Sequence, residues 1–251
     1  MRATRFAASA VTGATALVLV AAASAAPAFA ASPAPSGSSV RSAASSGAPA
    51  ACSANQLAYI KARVDLHVAQ RQLTIRQLTG ALAARGHVTD PHRATLTGLF
   101  TSDASGLAAT DATVQADTTC KQAMTDGRTV VTSYRVYMLL APQEHLVAAS
   151  DTGTYGAGQL TAAEPKLAAG IAAIADPTKK AEAQAAYADL VAQTTSASDD
   201  FAGVGDSVLA LVPADMPAAQ STVTAERSKV QAGRAALTLA LKDAKTIATL
   251  L

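Results

Sequence analysis

The chain has no tryptophan, and aromatic residues make up only 4% of its 251 residues. Sugar-stacking platforms and aromatic cages for quaternary amines need such rings, so neither is expected here. Cysteine is nearly as scarce: Cys52 and Cys120 are the two present, and they form no C-x-x-C redox pair. An excess of one charge is missing as well. The 20 basic residues stand against 18 acidic ones, and removal of Arg2 and Arg5 with a leader would make the two counts equal. Nucleic-acid binding needs clustered cations to displace counterions, so nucleic acid is not an expected partner.

Motifs for chemistry are absent too. There is no Walker loop, no dinucleotide fingerprint and no G-x-S-x-G nucleophile turn. His67, His87, His92 and His145 form no i, i+3 or i, i+4 pair and no E-x-x-H. His87, Asp90 and His92 share one turn and read as solvated loop residues. Ser133, His145 and Asp151 would make a triad only on paper, without a strained nucleophile turn or an oxyanion hole. No catalytic residue, metal or cofactor is therefore expected, and the chain reads as non-enzymatic.

What the chain does have is alanine, the best helix former and a poor core filler. Half of the residues are hydrophobic, and alanine supplies much of that share. Residues 1–30 read as a secretory signal peptide. Arg2 and Arg5 give the charged region, Val11 to Ala23 the apolar run, and Ala28-Phe29-Ala30 the cleavage site, with Ala31 as the first mature residue. The apolar run is shorter than the roughly 20 residues that span a bilayer. Residues 31–51 are rich in Ser, Ala, Pro and Gly and read as a disordered leader. The protein is expected to be secreted, outside the cell or at its envelope, with no transmembrane segment in the mature chain.

Residues 52–251 read as an all-α domain, an elongated antiparallel bundle of about six helices with coiled-coil-like packing. A helical hairpin is predicted over 54–118. Leu57, Val64 and Leu78 hold one heptad position of its first helix, and Val68, Ile75 and Leu82 hold the other. Gly86 suits a C-terminal cap, Asp90 an N-cap and Pro91 the first helical position. A central helix is predicted over 121–150, with a kink or a restart at Pro142. "DTGTYGAG", residues 151–158, reads as a glycine-rich connection. C-terminal helices then fill 160–251, breaking near 175 and 213, with heptads on Tyr187, Thr194, Phe201 and Val208 and on Leu190, Ala197, Val204 and Leu211.

The hairpin predicts a Cys52–Cys120 disulfide. Its two legs are similar in length, so both sulfurs return to the same end, in a chain expected to meet an oxidising compartment. A bridge closing so long a loop contributes about 4 kcal/mol.

"SYRVYMLLAPQEHLVAASD", 133–151, is the least ordinary stretch. Its propensity is strand-like, yet no other segment offers a strand to pair with, so it is read as helix. Val130, Val136, Leu139, Leu140, Leu146 and Val147 fall all around the cylinder, which places this helix centrally. Tyr134, Arg135, Tyr137, Glu144 and His145 are the candidate ligand-binding or core-lining residues. As core residues, the tyrosines would keep their hydroxyls at the rim and Arg135 would pair with a carboxylate.

"QADTT" at 115–119, "SYRVYMLLAP" at 133–142, "HLVAASD" at 145–151 and the Ala-rich C-terminal helix resemble a loose group of secreted, Ala-rich, coiled-coil-like helical proteins of high-GC Gram-positive bacteria. The resemblance covers residues 54–251. It implies an extracytoplasmic helical protein and brings no catalytic residue with it. The expected function is a structural or interaction module with a protein or envelope partner. The alternative is a carrier holding a small apolar ligand between helices near Tyr134–Tyr137.

Overall fold

The computed structural model describes residues 52–251, so the expected signal peptide and leader lie outside the described residues. The described chain is a helical bundle, and no strand occurs among the described residues. Helix α1 spans Ala54–Ala84. A capping box starts it: the Ser53 hydroxyl accepts the Gln56 N–H at 3.2 Å, and the Gln56 side chain accepts the Ser53 N–H at 2.9 Å. Val64, Val68, Ile75, Leu78 and Leu82 are buried, as the heptads predict. Arg71 interrupts that seam and is buried with them.

Arg93 supplies the corner of the hairpin. Its guanidinium donates to the carbonyls of Leu82 at 2.5 Å and Arg85 at 2.6 Å, placing a cation on the negative end of α1. Gly86 does not take the left-handed cap expected of it, since Gly203 is the only glycine with positive φ among the described residues. Helix α2, Asp90–Ala116, then starts one residue earlier than expected, with Thr89 at the N-cap and Pro91 in the first turn. At the other end of the hairpin, Lys61 Nζ donates to the Gln115 carbonyl at 2.6 Å. Helix α3, Cys120–Thr132, begins at the second cysteine. Cys52 and Cys120 are bonded, with Cα atoms 5.8 Å apart, so the predicted staple is present.

The expected central helix over 121–150 is two helices. The chain breaks after α3, where Arg135 takes a left-handed conformation (φ 42°), passes through a π-helical turn at Val136–Leu140, and enters α4, Ala141–Ala173. Of the two outcomes expected at Pro142, the structure shows the restart. The proline occupies the first turn of α4, where no intrahelical partner for its missing N–H is needed.

The expected connection at 151–158 is helical, and so is Pro165, which α4 carries in its interior. The physical reason for the glycine at 153 is packing. Phe201 lies against Gly153 of α4 and Gly233 of α7; a Cβ on Gly233 would sit 2.8–3.0 Å from three ring atoms, and one on Gly153 would overlap the ring more deeply.

Helix α5, Pro177–Phe201, is capped by Asp176, whose carboxylate accepts the N–H groups of Thr178 (2.8 Å) and Lys179 (3.2 Å). It ends before the expected 212. Gly203 at φ 70° turns the chain into a short helix, α6, Val204–Leu209. The heptad positions nevertheless carry across the break, because Phe201, Val204 and Val208 are all buried. Gln143 caps α6 by donating to the carbonyls of Val208 (2.8 Å) and Leu211 (3.0 Å). Helix α7 is Ala218–Leu250.

Helices α1, α2 and α3 pack on one another, as do α4, α5 and α7. The first half of α4 joins the two groups and is buried on every side from Leu146 to Asp151, the central position its sequence predicts. No helix among the described residues is long and apolar enough to cross a membrane.

Candidate functional site

The five residues singled out in the sequence do not converge. Tyr134 packs its ring on Gly106 of α2, where a Cβ would lie 2.5 Å from the ring, and its hydroxyl is 3.1 Å from the Thr110 hydroxyl. Arg135 pairs with no carboxylate. Its Nε donates to the Thr132 carbonyl at 3.3 Å, while Nη1 lies 3.8 Å from the Met138 sulfur. Tyr137 is exposed, with the Arg71 guanidinium 5.2 Å from its ring centroid. Tyr134 and Tyr137 therefore meet different surroundings.

Glu144 and His145 belong to a second place, the corner between α1 and α2. Glu144 is fully buried, at 0% exposure. Arg85 Nε donates to its Oε1 at 2.7 Å, and His145 Nδ1 lies 2.7 Å from Oε2. Adjacent residues on a helix diverge, yet here a long carboxylate turns back to meet the exposed ring next to it. Burial alone would raise the Glu144 pKa. The hydrogen bonds and charges of His145 and Arg85 outweigh burial, so the carboxyl titrates below its ordinary range.

His92 is not a solvated loop residue. It lies in the first turn of α2, and its Nδ1 is 2.9 Å from Asp151 of α4 while its Nε2 is 3.2 Å from Asp206 of α6. Asp151 also accepts the Thr89 N–H at 2.8 Å. The ring packs against Gly205, where a Cβ would come 2.5 Å from Cε1. Burial would lower the His92 pKa, but hydrogen bonds and charges from the two aspartates overcome it and hold the ring more basic than usual. Beside this clasp, His87 stacks on Tyr155 at 3.8 Å between centroids.

The corner is rich in titratable groups, and its geometry spends them on one another. Both His92 nitrogens face carboxylates, and the two oxygens of the Glu144 carboxylate are taken by Arg85 and His145. Of the paper triad, His145 meets Glu144 and Asp151 meets His92, so the relay is not assembled. The two aspartates sit at opposite edges of the His92 ring and do not converge on a point. No group of three His, Cys, Asp or Glu among the described residues is placed to hold a metal ion. On α2, Asp103 lies between Phe100 and Leu107, and burial pushes its carboxyl from 3.8 up to about 6.

A third region was missed by the sequence reading. Tyr59, Leu66 and Leu73 on α1 are 50–67% exposed, and Met124, Val131 and Met138 are 45–50% exposed. Each series repeats every seven residues, and the two are offset by a constant interval. Helices α1 and α3 both start at the disulfide and run side by side, with Gly127 against Val64 and Tyr137 over Arg71. Tyr59 and Met124 come together at the disulfide end, and Leu66 continues the outer face of α1. Two shallow hollows mark it, of about 510 Å³ (including Cys52, Tyr59, Ile60, Cys120 and Met124) and about 440 Å³ (Tyr59, Ala62, Arg63, Leu66 and His67). The signal was available in the sequence as a second heptad series in a helix already counted for its core seam.

The described residues thus form an all-α bundle with one disulfide, an ion-paired corner and an exposed apolar row on α1. Comparison with known proteins finds no matching family model, no matching curated protein and no matching solved structure.

Proposed function

We propose that this is an exported, non-enzymatic helical bundle that serves as a structural or interaction module at the cell envelope or outside the cell. The observation that carries this reading is the exposed row of Tyr59, Leu66 and Leu73 on α1. Apolar side chains at a seven-residue repeat are what one helix presents to another, and single scattered exposed residues would not form such a row. The ion-paired corner supports the non-enzymatic part, since its histidine and carboxylates already hold one another. The disulfide and the absence of an apolar span long enough to cross a membrane among the described residues accord with export.

A photo-crosslinking side chain placed at Leu66 tests the reading in the native host. Adducts from Leu66, and none from the exposed Thr101 on α2, are the expected result. No adduct from Leu66 in either envelope or medium fractions defeats the module. N-terminal sequencing of the exported protein is expected to begin at Ala31.

A further inference from the structure

The bridge that staples the hairpin is open to chemistry. Cys52 is exposed and Cys120 is half-buried. Both line the hollow of about 510 Å³ at this end of the bundle, together with Tyr59, Ile60 and Met124. Exchange requires that an attacking thiolate reach one of the two sulfurs, so exposed bridges are the labile ones.

The two sulfurs are not equivalent. Cys120 is the first residue of α3. Thr119 accepts the Gln122 N–H at 3.3 Å through its hydroxyl and the Ala123 N–H at 3.1 Å through its carbonyl. That leaves the N–H groups of Cys120 and Lys121 without an acceptor in the helix, at the positive end of its dipole. A sulfur in that position is stabilised as a thiolate. Cys52 stands outside α1, one residue before the Ser53 N-cap. Its sulfur lies 3.7 Å from the Ser53 carbonyl oxygen, which gives a thiolate no such support. Charge points the same way. Lys121 adjoins Cys120, and Lys61 reaches the Gln115 carbonyl at 2.6 Å, so two cations stand against Asp117 at this end of the hairpin.

We propose that the Cys52–Cys120 bond is a polarised thiol-exchange site whose co-reactant is a thiol. The incoming thiolate attacks Cys52 Sγ and bonds to it. The Sγ–Sγ bond breaks, and its electron pair leaves on Cys120 as a thiolate. A small monothiol stops at the mixed disulfide on Cys52. A dithiol goes further: its second sulfur attacks its first, releases Cys52 and closes a disulfide of its own. The dithiol is then oxidised, the bridge is reduced, and the two protons end on Cys52 and Cys120. The reaction unties the start of α1 from the start of α3.

The test treats the folded, disulfide-intact chain with free cysteine, and separately with thioredoxin whose second active-site cysteine is serine. After brief exposure, acid quenching and alkylation, peptide masses locate the adducts. Adducts on Cys52 are expected to exceed those on Cys120 about tenfold, because access and leaving-group ability favour the same direction of attack. Adducts with one reagent alone assign the site to that source, small thiol or protein dithiol. Adducts chiefly on Cys120, equal adducts on both, or adducts that form only once urea unfolds the chain overturn the proposal.

A second measurement does not depend on exchange. In Cys52→Ser, alkylation of Cys120 by iodoacetamide is expected to set in at lower pH than alkylation of Cys52 in Cys120→Ser. Adding Lys121→Gln to Cys52→Ser should raise that pH. Circular dichroism establishes that each variant is folded, and in urea the profiles are expected to coincide. Profiles that already coincide in the folded proteins overturn the polarity, and the proposal with it.

Discussion

The Nδ1 of His92 lies 2.9 Å from the carboxylate of Asp151, although the two residues are 59 positions apart in the chain. With Asp206 on the other nitrogen, one ring joins α2, α4 and α6. The bond to Asp206 is the more exposed of the two, so Asp151 carries most of the clasp.

A protonated His92 donates to both aspartates; a neutral one can donate to only one of them. Its folded pKa is raised above the ordinary 6.5. The contribution to stability is therefore fully present below pH 6.5 and is lost as pH rises through the folded value. His92→Gln is expected to cost about 1–2 kcal/mol at pH 6 and clearly less at pH 8.5. Urea unfolding at the two pH values checks this, and a cost independent of pH would contradict the charged clasp.

Glu144 has the opposite sign. Its folded pKa lies below the ordinary 4.5, so its contribution is present above pH 4.5 and disappears as pH falls through the folded value. Glu144→Gln is expected to destabilise by about 2–3 kcal/mol at pH 7, leaving Arg85 without its buried partner. The same substitution should make acid unfolding below pH 4.5 less steep, as followed by far-ultraviolet dichroism.

Asp103 should behave as a liability. Its carboxyl is raised from 3.8 to about 6 by burial, so ionising it costs stability progressively between those values. Asp103→Asn is expected to stabilise the fold by about 1 kcal/mol at pH 7, a gain of roughly 2–4 °C in melting temperature for a domain of this size. At pH 3.5 the gain should vanish, because both forms are then neutral.

Gly153→Ala sets two effects against each other. Helix propensity favours alanine by about 1 kcal/mol. Overpacking against Phe201 costs about 1–3 kcal/mol, and here the ring is also backed by Gly233, so it has little room to retreat. Net destabilisation of about 1–2 kcal/mol is expected. Pairing the change with Phe201→Leu should recover part of it; thermal melts of the single and double variants decide.

The hairpin and its bridge were legible because their signals are local or nearly so. A core seam at the heptad period and a proline opening the second helix together fix where the cysteines return. The central helix was misread for want of a signal at Arg135, since a left-handed conformation there has no glycine to announce it. The run from Asp151 to Gly158 looked like a loop by local propensity, and tertiary packing around Phe201 overrode that preference. The ion-paired corner could not be read because, apart from the adjacent Glu144 and His145, its partners are separated by 59 to 114 residues and share no spacing rule. The outer row of α1 shares its helix and its seven-residue period with the core seam, so periodicity alone does not set the two apart.

The Cys52–Cys120 bond has a mechanical consequence. Tension transmitted along the backbone toward Cys52 reaches the crosslink before it reaches α1. The load divides there between the starts of two parallel rods and pulls them together in shear, where otherwise a single helix would be peeled away turn by turn.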